Sequence, residues 1–380
     1  MPVQTASADL SAHKGVLVLA ETRDGALLPD SFALVSEAKR LADALGTTVT
    51  AIAVGCGSEK SARDLGGYGA DEVILLDDPL LRTYTTEAYA KVVAEVALSR
   101  LPEAFLIAAT HTGRDLAPRL AARLDTGLCA DCMRIDADQA SYESYLRETS
   151  ALSDSEIRAL DSFTVLGTRC DVTHDLKMTL PAFGGNLMAT IVCPRFRPAM
   201  ATVRTGLLET TPFSEERAAE TVITRFPVSL SASDVRTEIL ETVRETKTTA
   251  DLAEADVVIA VGRGIAKDPA RGVALAEELA AVFGGLVGGT RVAIEKGWLS
   301  PDRQIGQSGR TVRPKLLIAL GISGAAQFTI GVPKADCIVA VNKDKNAPIF
   351  SFADYGITGD VFRVVPELIR AFRTAKERNG

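Results

Sequence analysis

The chain has 380 residues, of which 47% are hydrophobic and 24% are charged, and its formal net charge is −7. A chain of this length is expected to form about two or three domains, and its apolar content excludes disorder as the main state. An acidic chain with 5% aromatic residues offers neither the cationic surface nor the stacking platforms of nucleic-acid-binding proteins. No nucleic-acid partner is therefore expected.

Membrane insertion and secretion are also disfavoured. Residues 1–15 lack the apolar stretch of a signal peptide, and no later apolar run is long enough to cross a bilayer without charges. The six cysteines are scattered along the chain, which is typical of a reducing compartment rather than of a disulfide scaffold. We therefore expect a cytoplasmic protein.

Short apolar runs alternate with helical stretches through the first half of the chain. Strand, helix, strand order of this kind predicts a parallel sheet with crossover helices. The third helix is expected to stop before Gly127. The predicted strands are 15–20, 48–54, 72–76, 104–109, 184–192, 201–208 and 222–228, and the predicted helices are 31–45, 86–98 and 113–124.

Two polar regions interrupt this alternation. Residues 136–169 contain no long apolar run, and we interpret them as a surface excursion with a short helix capped at Ser153. Residues 231–249 are dense in Thr, Glu, Arg and Lys, and a new apolar run follows them. This change in composition predicts an N-terminal domain of residues 1–248 and a C-terminal domain of residues 249–380.

The C-terminal part repeats the same alternation. Its predicted strands are 257–261, 316–320 and 337–341, and its predicted helices are 270–283 and 365–373. The predicted fold class is therefore α/β, with two three-layer domains built on parallel sheets, the C-terminal one Rossmann-like. Ligands of such open sheets bind outside the carboxyl ends of the strands.

Glycine-rich and polar turns follow these C-terminal strands. Glycines let backbone N–H groups approach phosphate oxygens, and Ser323 adds a hydroxyl at the opening of a predicted helix. A single turn of this kind is more often structural, and residues 262–267 lack the third glycine of the dinucleotide fingerprint. Their convergence nevertheless predicts a site for a cofactor with a pyrophosphate. The turns are 262–264, 321–325, 342–344 and 354–360, together with the loop 304–310.

Five ordered motifs resemble the alpha subunit of the electron transfer flavoproteins. The resemblance implies FAD in the C-terminal domain, an electron transfer flavoprotein beta subunit as partner, and an N-terminal domain that docks this subunit. It also implies electron transfer between an acyl-CoA dehydrogenase or similar flavoenzyme and a downstream acceptor. The motifs are 290–291, 304–310, 320–327, 341–344 and 353–360, and the similar segments of the first half are 113–118, 126–132, 181–186 and 195–204.

The resemblance further implies roles for single residues. Arg291 matches an arginine beside the flavin ring, whose cation favours the reduced, anionic flavin. Ser308 matches the hydroxyl residue that reaches flavin N5. Phe328 stands where family members often have a histidine near the flavin C2 carbonyl, and because phenylalanine donates no hydrogen bond, a different flavin potential is expected.

The remaining predicted contacts divide between the parts of FAD. No catalytic residue is assigned, because the flavin carries the redox chemistry. Arg263, Gln304 and Gln307 match flavin and ribityl neighbours, Ile322, Ser323, Gly324 and Gln327 match the loop around the phosphates and ring, and Asn342 and Asp360 match contacts to the adenosine half. With these, the full predicted cofactor-binding set is Arg263, Thr290, Arg291, Gln304, Ile305, Gly306, Gln307, Ser308, Gly321, Ile322, Ser323, Gly324, Gln327, Phe328, Asn342 and Asp360.

Several alternatives stay open at this point. Residues 308–310 with 314–315 resemble electron-bifurcating members, in which the beta subunit holds a second FAD and oxidises NADH and ferredoxin is an acceptor. A different class is a stand-alone FAD- or NAD-dependent dehydrogenase, which the absence of histidine after His174 disfavours, because histidine is the commonest general base. A third is a nucleotide-binding regulatory module.

Other candidate residues have structural interpretations. Cys129 and Cys132 have the spacing of half a metal site, but no second pair exists, so we interpret them as ordinary thiols and predict no metal. His111 is interpreted as a turn residue. The three arginines of residues 195–204 leave a partner surface and a solvated face equally open.

Overall fold

The computed structural model describes residues 10–23, 25–57, 59–165, 167–182, 187–204, 206–237, 239–242, 252–332 and 335–379. They form two compact units, the first built from residues 10–181 and 188–242 and the second mainly from residues 252–379. The predicted domain boundary at residues 248–249 lies outside the described residues and stays a prediction.

The first unit is an α/β structure. Its strands are β1 (Val16–Ala20), β2 (Thr22–Arg23), β3 (Ala26–Leu27), β4 (Val49–Gly55), β5 (Glu72–Asp77), β6 (Ala104–Ala108), β7 (Leu128–Cys132), β8 (Arg134–Asp136), β9 (Ser162–Val165), β10 (Thr168–Asp171), β11 (Lys177–Ala182), β12 (Leu187–Ile191), β13 (Ala199–Val203) and β14 (Val222–Arg225). Its helices are α1 (Pro29–Leu45), α2 (Glu59–Ala62), α3 (Asp64–Gly67), α4 (Thr86–Arg100), α5 (His111–Arg123), α6 (Gln139–Thr149), α7 (Asp154–Arg158) and α8 (Glu215–Glu220).

Seven strands of the described part of this unit form one parallel sheet. Their order is β14-β5-β4-β1-β6-β13-β7. Both faces are covered, since Val16 and Val18 of β1 pack in the core that contains α1, and Leu17 and Leu19 pack in the core that contains α4 and α5. Strands buried on both faces carry unbroken apolar runs, which is why the prediction of a parallel sheet is confirmed here.

The region 136–169 is more regular than its polar sequence predicts. Helix α7 does begin at Ser153, whose side chain accepts from the Glu156 N–H in a capping box. Helix α6 was missed because Tyr142 is its one fully buried residue, although its N-cap Asp138 accepts a hydrogen bond from the Ser141 N–H at 2.7 Å. Strands β9 and β10 complete the region as an antiparallel pair.

The strand predicted at 184–192 does not join the parallel sheet. Its described part, β12, belongs to a three-stranded sheet of order β12-β11-β8, and residues 184–186 lie outside the described residues. Strand β11 was missed. The strand predicted at 201–208 is β13 and ends at Val203, and helix α5 ends at Arg123, where Asp125 with φ +53° rather than Gly127 takes the left-handed conformation.

The second unit is a smaller parallel sheet. Its strands are β15 (Val257–Val261), β16 (Leu286–Gly289), β17 (Leu316–Leu320), β18 (Ile338–Asn342) and β19 (Tyr355–Thr358), and its helices are α9 (Pro269–Phe283), α10 (Arg291–Glu295), α11 (Ala326–Thr329) and α12 (Val361–Asn379). The described strands have the order β16-β15-β17-β18-β19, and every neighbouring pair is parallel. The order reverses between β15 and β17, which makes the crevice at their carboxyl ends the expected ligand position.

This sheet is also the middle of three layers. Ile259 and Val261 pack in a core with α9 and α12, and Val258 and Ala260 pack against the loops and short helix on the other face. The predicted α/β class with two parallel sheets is therefore confirmed. Two strands were missed: β16 ends in two glycines, and β19 lies within the predicted turn 354–360.

None of the helices in the described ranges combines the length and apolar character that crossing a bilayer requires.

Candidate functional site

A cleft of about 760 Å³ lies at the carboxyl ends of β15, β16, β17 and β18. It occupies the crevice that the strand order marks as the ligand position. Every predicted cofactor-binding residue except Gly324 and Asp360 lines it. Lining residues that the predicted set lacks are Gly262, Gly264, Ala266, Lys267, Val292, Ala325, Lys343, Asp344, Ala347 and Pro348.

Two glycines hold the turns after β15 and β17 against each other. The Gly264 N–H donates to Gly321 O at 2.9 Å, and a Cβ on Gly321 would lie 2.6 Å from the Gly264 Cα. Gly321 also has φ +61°, a left-handed conformation that costs other residues about 1–2 kcal/mol. This close backbone approach forms the floor of the cleft between the two strands.

The loop 304–310 forms one wall and is tied down at both ends. The Ile305 N–H donates to Gly289 O at 2.9 Å, which fixes the loop to the end of β16, and the Gln307 N–H donates to Gln327 O at 2.7 Å. The Arg310 N–H closes the loop on Gln304 O at 2.8 Å. These backbone hydrogen bonds therefore fix the conformation of the loop without a ligand.

The turn after β17 presents free backbone donors. The N–H groups of Ser323 and Ala325, which line the cleft, have no acceptor among the residues that the structure describes. Asn342 holds this turn, because its Nδ2 donates to Ile322 O at 2.8 Å while its Oδ1 accepts from the Asp344 N–H at 3.0 Å. Both ends of the Asn342 amide are thus used within the chain, and the unpaired N–H groups suit an anion.

The charges around the cleft are mainly positive. Arg263, Lys267 and Lys343 are exposed and form no ion pair with any described residue. Arg291 is paired with Glu295 through Nε and Oε1 at 2.7 Å on the exposed face of α10. Asp344 is the one carboxylate among the described lining residues. The cleft therefore favours an anionic ligand by Coulomb attraction.

Three predicted residues have surroundings that the sequence did not indicate. Gly324 lies outside the lining, and a Cβ there would be 2.3 Å from the Ile349 N. Asp360 also lies outside it and starts α12, where its Oδ1 accepts from the Phe362 N–H at 2.8 Å. Phe328 does line the cleft but is 5% exposed, packed in the apolar cluster beside the sheet.

The candidate residues of the first unit have structural partners. Arg197 is paired with Glu103 at 2.6 Å and with Asp175 at 2.8 Å, and buried Arg204 is paired with Asp131. Neither a partner surface nor a solvated face therefore describes these two arginines; Arg195 alone is exposed. Their partners are distant in sequence, so no local pattern could have revealed them.

The remaining candidates of this unit are also explained by the fold. His111 is the first residue of α5 rather than a turn residue, and Thr110 caps that helix by accepting from the Gly113 N–H. Cys129 and Cys132 are buried free thiols, and the pKa of Cys132 is raised by the neighbouring Cys129 thiol and by burial. A raised pKa disfavours the reactive thiolate.

Together, the crevice position, the unpaired cations and the free N–H groups define the second unit as a binding domain for a phosphate-bearing cofactor. Two family models match the chain. One, described as the electron transfer flavoprotein domain, matches residues 16–159 and 163–231, and the other, described as the electron transfer flavoprotein FAD-binding domain, matches residues 251–333.

Similar proteins match over nearly their whole length. The acryloyl-CoA reductase electron transfer subunit beta of Anaerotignum propionicum is 48% identical over 97% of this chain and 98% of its own. The electron transfer flavoprotein subunit alpha of Thermoanaerobacterium thermosaccharolyticum is 42% identical over 97% of this chain and 100% of its own. That of Clostridium acetobutylicum is 43% identical over 96% of this chain and 98% of its own.

The chain therefore belongs to the electron transfer flavoprotein family, and within it to the alpha subunits. Its cofactor is FAD and its activity is electron transfer. The residues of the cleft fit this cofactor, because unpaired cations and N–H groups suit a pyrophosphate, while Ile305, Ile322 and Phe328 offer apolar surface to a ring. The resemblance found in the sequence is thus confirmed.

Proposed function

We propose that the chain is the FAD-binding subunit of a heterodimeric electron carrier. Its partner subunit is an electron transfer flavoprotein beta subunit, its electron donor is an acyl-CoA dehydrogenase-type flavoenzyme, and its electrons pass to a downstream acceptor. The cationic cleft of the second unit carries the proposal, because most of its lining residues lie in the segment 251–333 that matches the FAD-binding family model. The name of the relative from Anaerotignum propionicum, which joins electron transfer to an acryloyl-CoA reductase, supports a partner of the acyl-CoA class.

One group of lining residues would bind the phosphates. Lys267 and Lys343 bring two cations without an acidic partner among the described residues, and the N–H groups after β17 add hydrogen-bond donors without acceptors. Arg263, the third such cation, remains a predicted neighbour of the flavin and ribityl parts. Charged hydrogen bonds of this type are the stronger ones. These residues would hold and orient the cofactor.

A second group of lining residues would tune the flavin, which supplies one- and two-electron transfer when bound. Arg291 places a cation at the rim, with its charge partly balanced by Glu295. Ser308 brings a hydroxyl to the wall formed by the loop 304–310. A cation and a hydrogen-bond donor both stabilise negative charge, so both residues would raise the reduction potential.

The cleft contains few groups that could act as a general base or nucleophile on a substrate. Its described lining contains no histidine and no cysteine, and its one carboxylate, Asp344, accepts the Asn346 N–H at 3.0 Å in its own turn. A general base must lie within reach of the proton that it removes. This arrangement favours a carrier over a stand-alone FAD- or NAD-dependent dehydrogenase.

A second candidate is the electron-bifurcating variant, in which the beta subunit holds another FAD that takes electrons from NADH, with ferredoxin as an acceptor. It is favoured by the loop around Ser308, where Arg310 follows two residues later. The Arg310 Nε donates to Asp302 O at 3.0 Å, so the loop carries a second cation, which is not among the described lining residues of the cleft. Such a cation would further stabilise a reduced flavin.

The test uses the chain coexpressed and purified with its beta subunit. A catalytic amount of an acyl-CoA dehydrogenase with its acyl-CoA should bleach the bound FAD, whereas the acyl-CoA alone should not. Bleaching by the acyl-CoA alone would instead show a dehydrogenase. Reduction by NADH, together with two FAD molecules for each heterodimer, would favour the bifurcating variant.

A further inference from the structure

The side chains of Gln304 and Ser308 meet across the loop 304–310. Gln304 Nε2 donates a hydrogen bond to Ser308 Oγ at 2.9 Å. The backbone supports this contact, because the Arg310 N–H donates to Gln304 O and the Gly309 N–H donates to Gly306 O at 3.0 Å. Both side chains line the cleft.

The aliphatic part of Gln304 is held in place from behind. Gly309 lies so close that a Cβ on it would be 2.8 Å from the Gln304 Cγ and 2.5 Å from its carbonyl oxygen. The Ile305 N–H fixes the same part of the chain to Gly289 at the end of β16. The amide group of Gln304 is thereby aimed at Ser308.

The bond limits the directions open to the Ser308 hydroxyl hydrogen, which must point away from Gln304 Nε2. A hydroxyl oxygen that accepts one hydrogen bond keeps its own hydrogen for donation. Among the described residues, Gln304 is the one hydrogen-bond partner of this side chain. A donor that also accepts is polarised by the bond that it receives and donates more strongly. The hydrogen of Ser308 is therefore available to a group in the cleft.

We propose that Gln304 is a positioning residue, which directs the Ser308 hydroxyl hydrogen towards the flavin and so raises its reduction potential. The inference rests on the proposed placement of Ser308 beside flavin N5. That nitrogen carries a lone pair and no hydrogen in the oxidised cofactor, so the hydroxyl must donate to it. Charge that accumulates there on reduction strengthens the bond.

The test is a double-mutant cycle on the FAD-loaded heterodimer, with the midpoint potential of the first electron as the readout. Ser308→Ala should lower this potential. Gln304→Ala should lower it in the same direction and by no more than Ser308→Ala. The double variant should match Ser308→Ala, because Gln304 has nothing left to position.

Gln307→Ala is the matched control, because Gln307 lies in the same loop and cleft but forms no side-chain hydrogen bond with Ser308 in the described structure. Its shift should add to that of Ser308→Ala. A Gln304→Ala shift that is undiminished in the Ser308→Ala background, or no shift at all, would overturn the positioning role. No shift in Ser308→Ala would instead overturn the placement of Ser308 itself.

A second variant keeps the test possible if Gln304→Ala loses its FAD. If Gln304→Ala does not retain FAD, Gln304→Met keeps the length of the side chain and removes its amide group, including the Nε2 donor, and it should follow the same cycle. Loss of FAD from both variants while Ser308→Ala stays loaded would make Gln304 a binding residue and overturn the proposal.

Discussion

The carboxyl group of Glu21 links the stability of the first unit to pH. Glu21 follows the central strand β1, is 8% exposed and accepts a hydrogen bond from the Thr110 hydroxyl. Burial raises its pKa from the ordinary 4.5 to about 7, and the nearby Asp30 adds to the effect, whereas Thr110 and Arg23 oppose it. The folded state therefore favours the protonated carboxyl.

The sign and size of the effect follow from linkage. Below pH 4.5 the carboxyl is protonated in both the folded and the unfolded chain, and no stability is lost. As pH rises to 7, the unfolded chain ionises first, and the free energy of unfolding falls. A tenfold change in an ionisation constant is worth about 1.4 kcal/mol, so the loss by pH 8 is about 3 kcal/mol.

Glu21→Gln removes this loss, because glutamine accepts the Thr110 bond and does not ionise. Urea unfolding followed by far-UV circular dichroism, at constant ionic strength between pH 4 and pH 8, should show the variant gaining about 3 kcal/mol over the wild type across that range. Glu59→Gln, at an exposed carboxyl paired with Arg225, is the control and should change stability by less than about 1 kcal/mol. If the free energy of unfolding changed equally with pH in the wild type and in Glu21→Gln, the reasoning would be refuted.

Three further predictions concern the cleft. Arg291→Ala should lower the flavin potential and Glu295→Gln should raise it, because the second change frees the cation; a spectroelectrochemical titration that shows no difference would argue against a cation beside the flavin. Gly321→Ala should weaken FAD binding, measured by equilibrium dialysis, because its Cβ meets the facing backbone. Gly297→Ala, with φ +70° and open space, should cost only about 1–2 kcal/mol of stability. Lys343→Ala should weaken FAD binding about tenfold, a loss of 1.4 kcal/mol, and leave riboflavin binding unchanged; an equal loss for both would contradict a phosphate contact.

Most of the parallel strands were predictable for a simple physical reason. A strand covered on both faces needs apolar side chains at every position, and β1 and β15 carry such runs. Strand β16 was missed because Gly288 and Gly289 are typical of a turn; a Cβ on Gly288 would lie 2.6 Å from the Ile305 Cδ1, so close packing requires the glycine. Such a contact between distant residues cannot be predicted from the local amino-acid composition.

The cleft could be predicted only in part. Turns that follow parallel strands meet at one edge of the sheet, so their sequence positions predicted where the cleft lies. Lys267 and Lys343 were not singled out, because the role of a surface lysine depends on whether a carboxylate lies beside it. Arg197, in contrast to these lysines, is paired with two carboxylates, and the sequence did not reveal this because both acidic partners come from distant parts of the chain.

The count of FAD molecules tests the central claim most directly. The chain is coexpressed with its beta subunit, the complex is saturated with FAD and passed through a desalting column, and the released flavin is quantified against protein. The account predicts one FAD in the second unit of this chain, which Gly321→Ala should reduce, whether or not the beta subunit holds another. A folded, saturated complex that retains no flavin would contradict it.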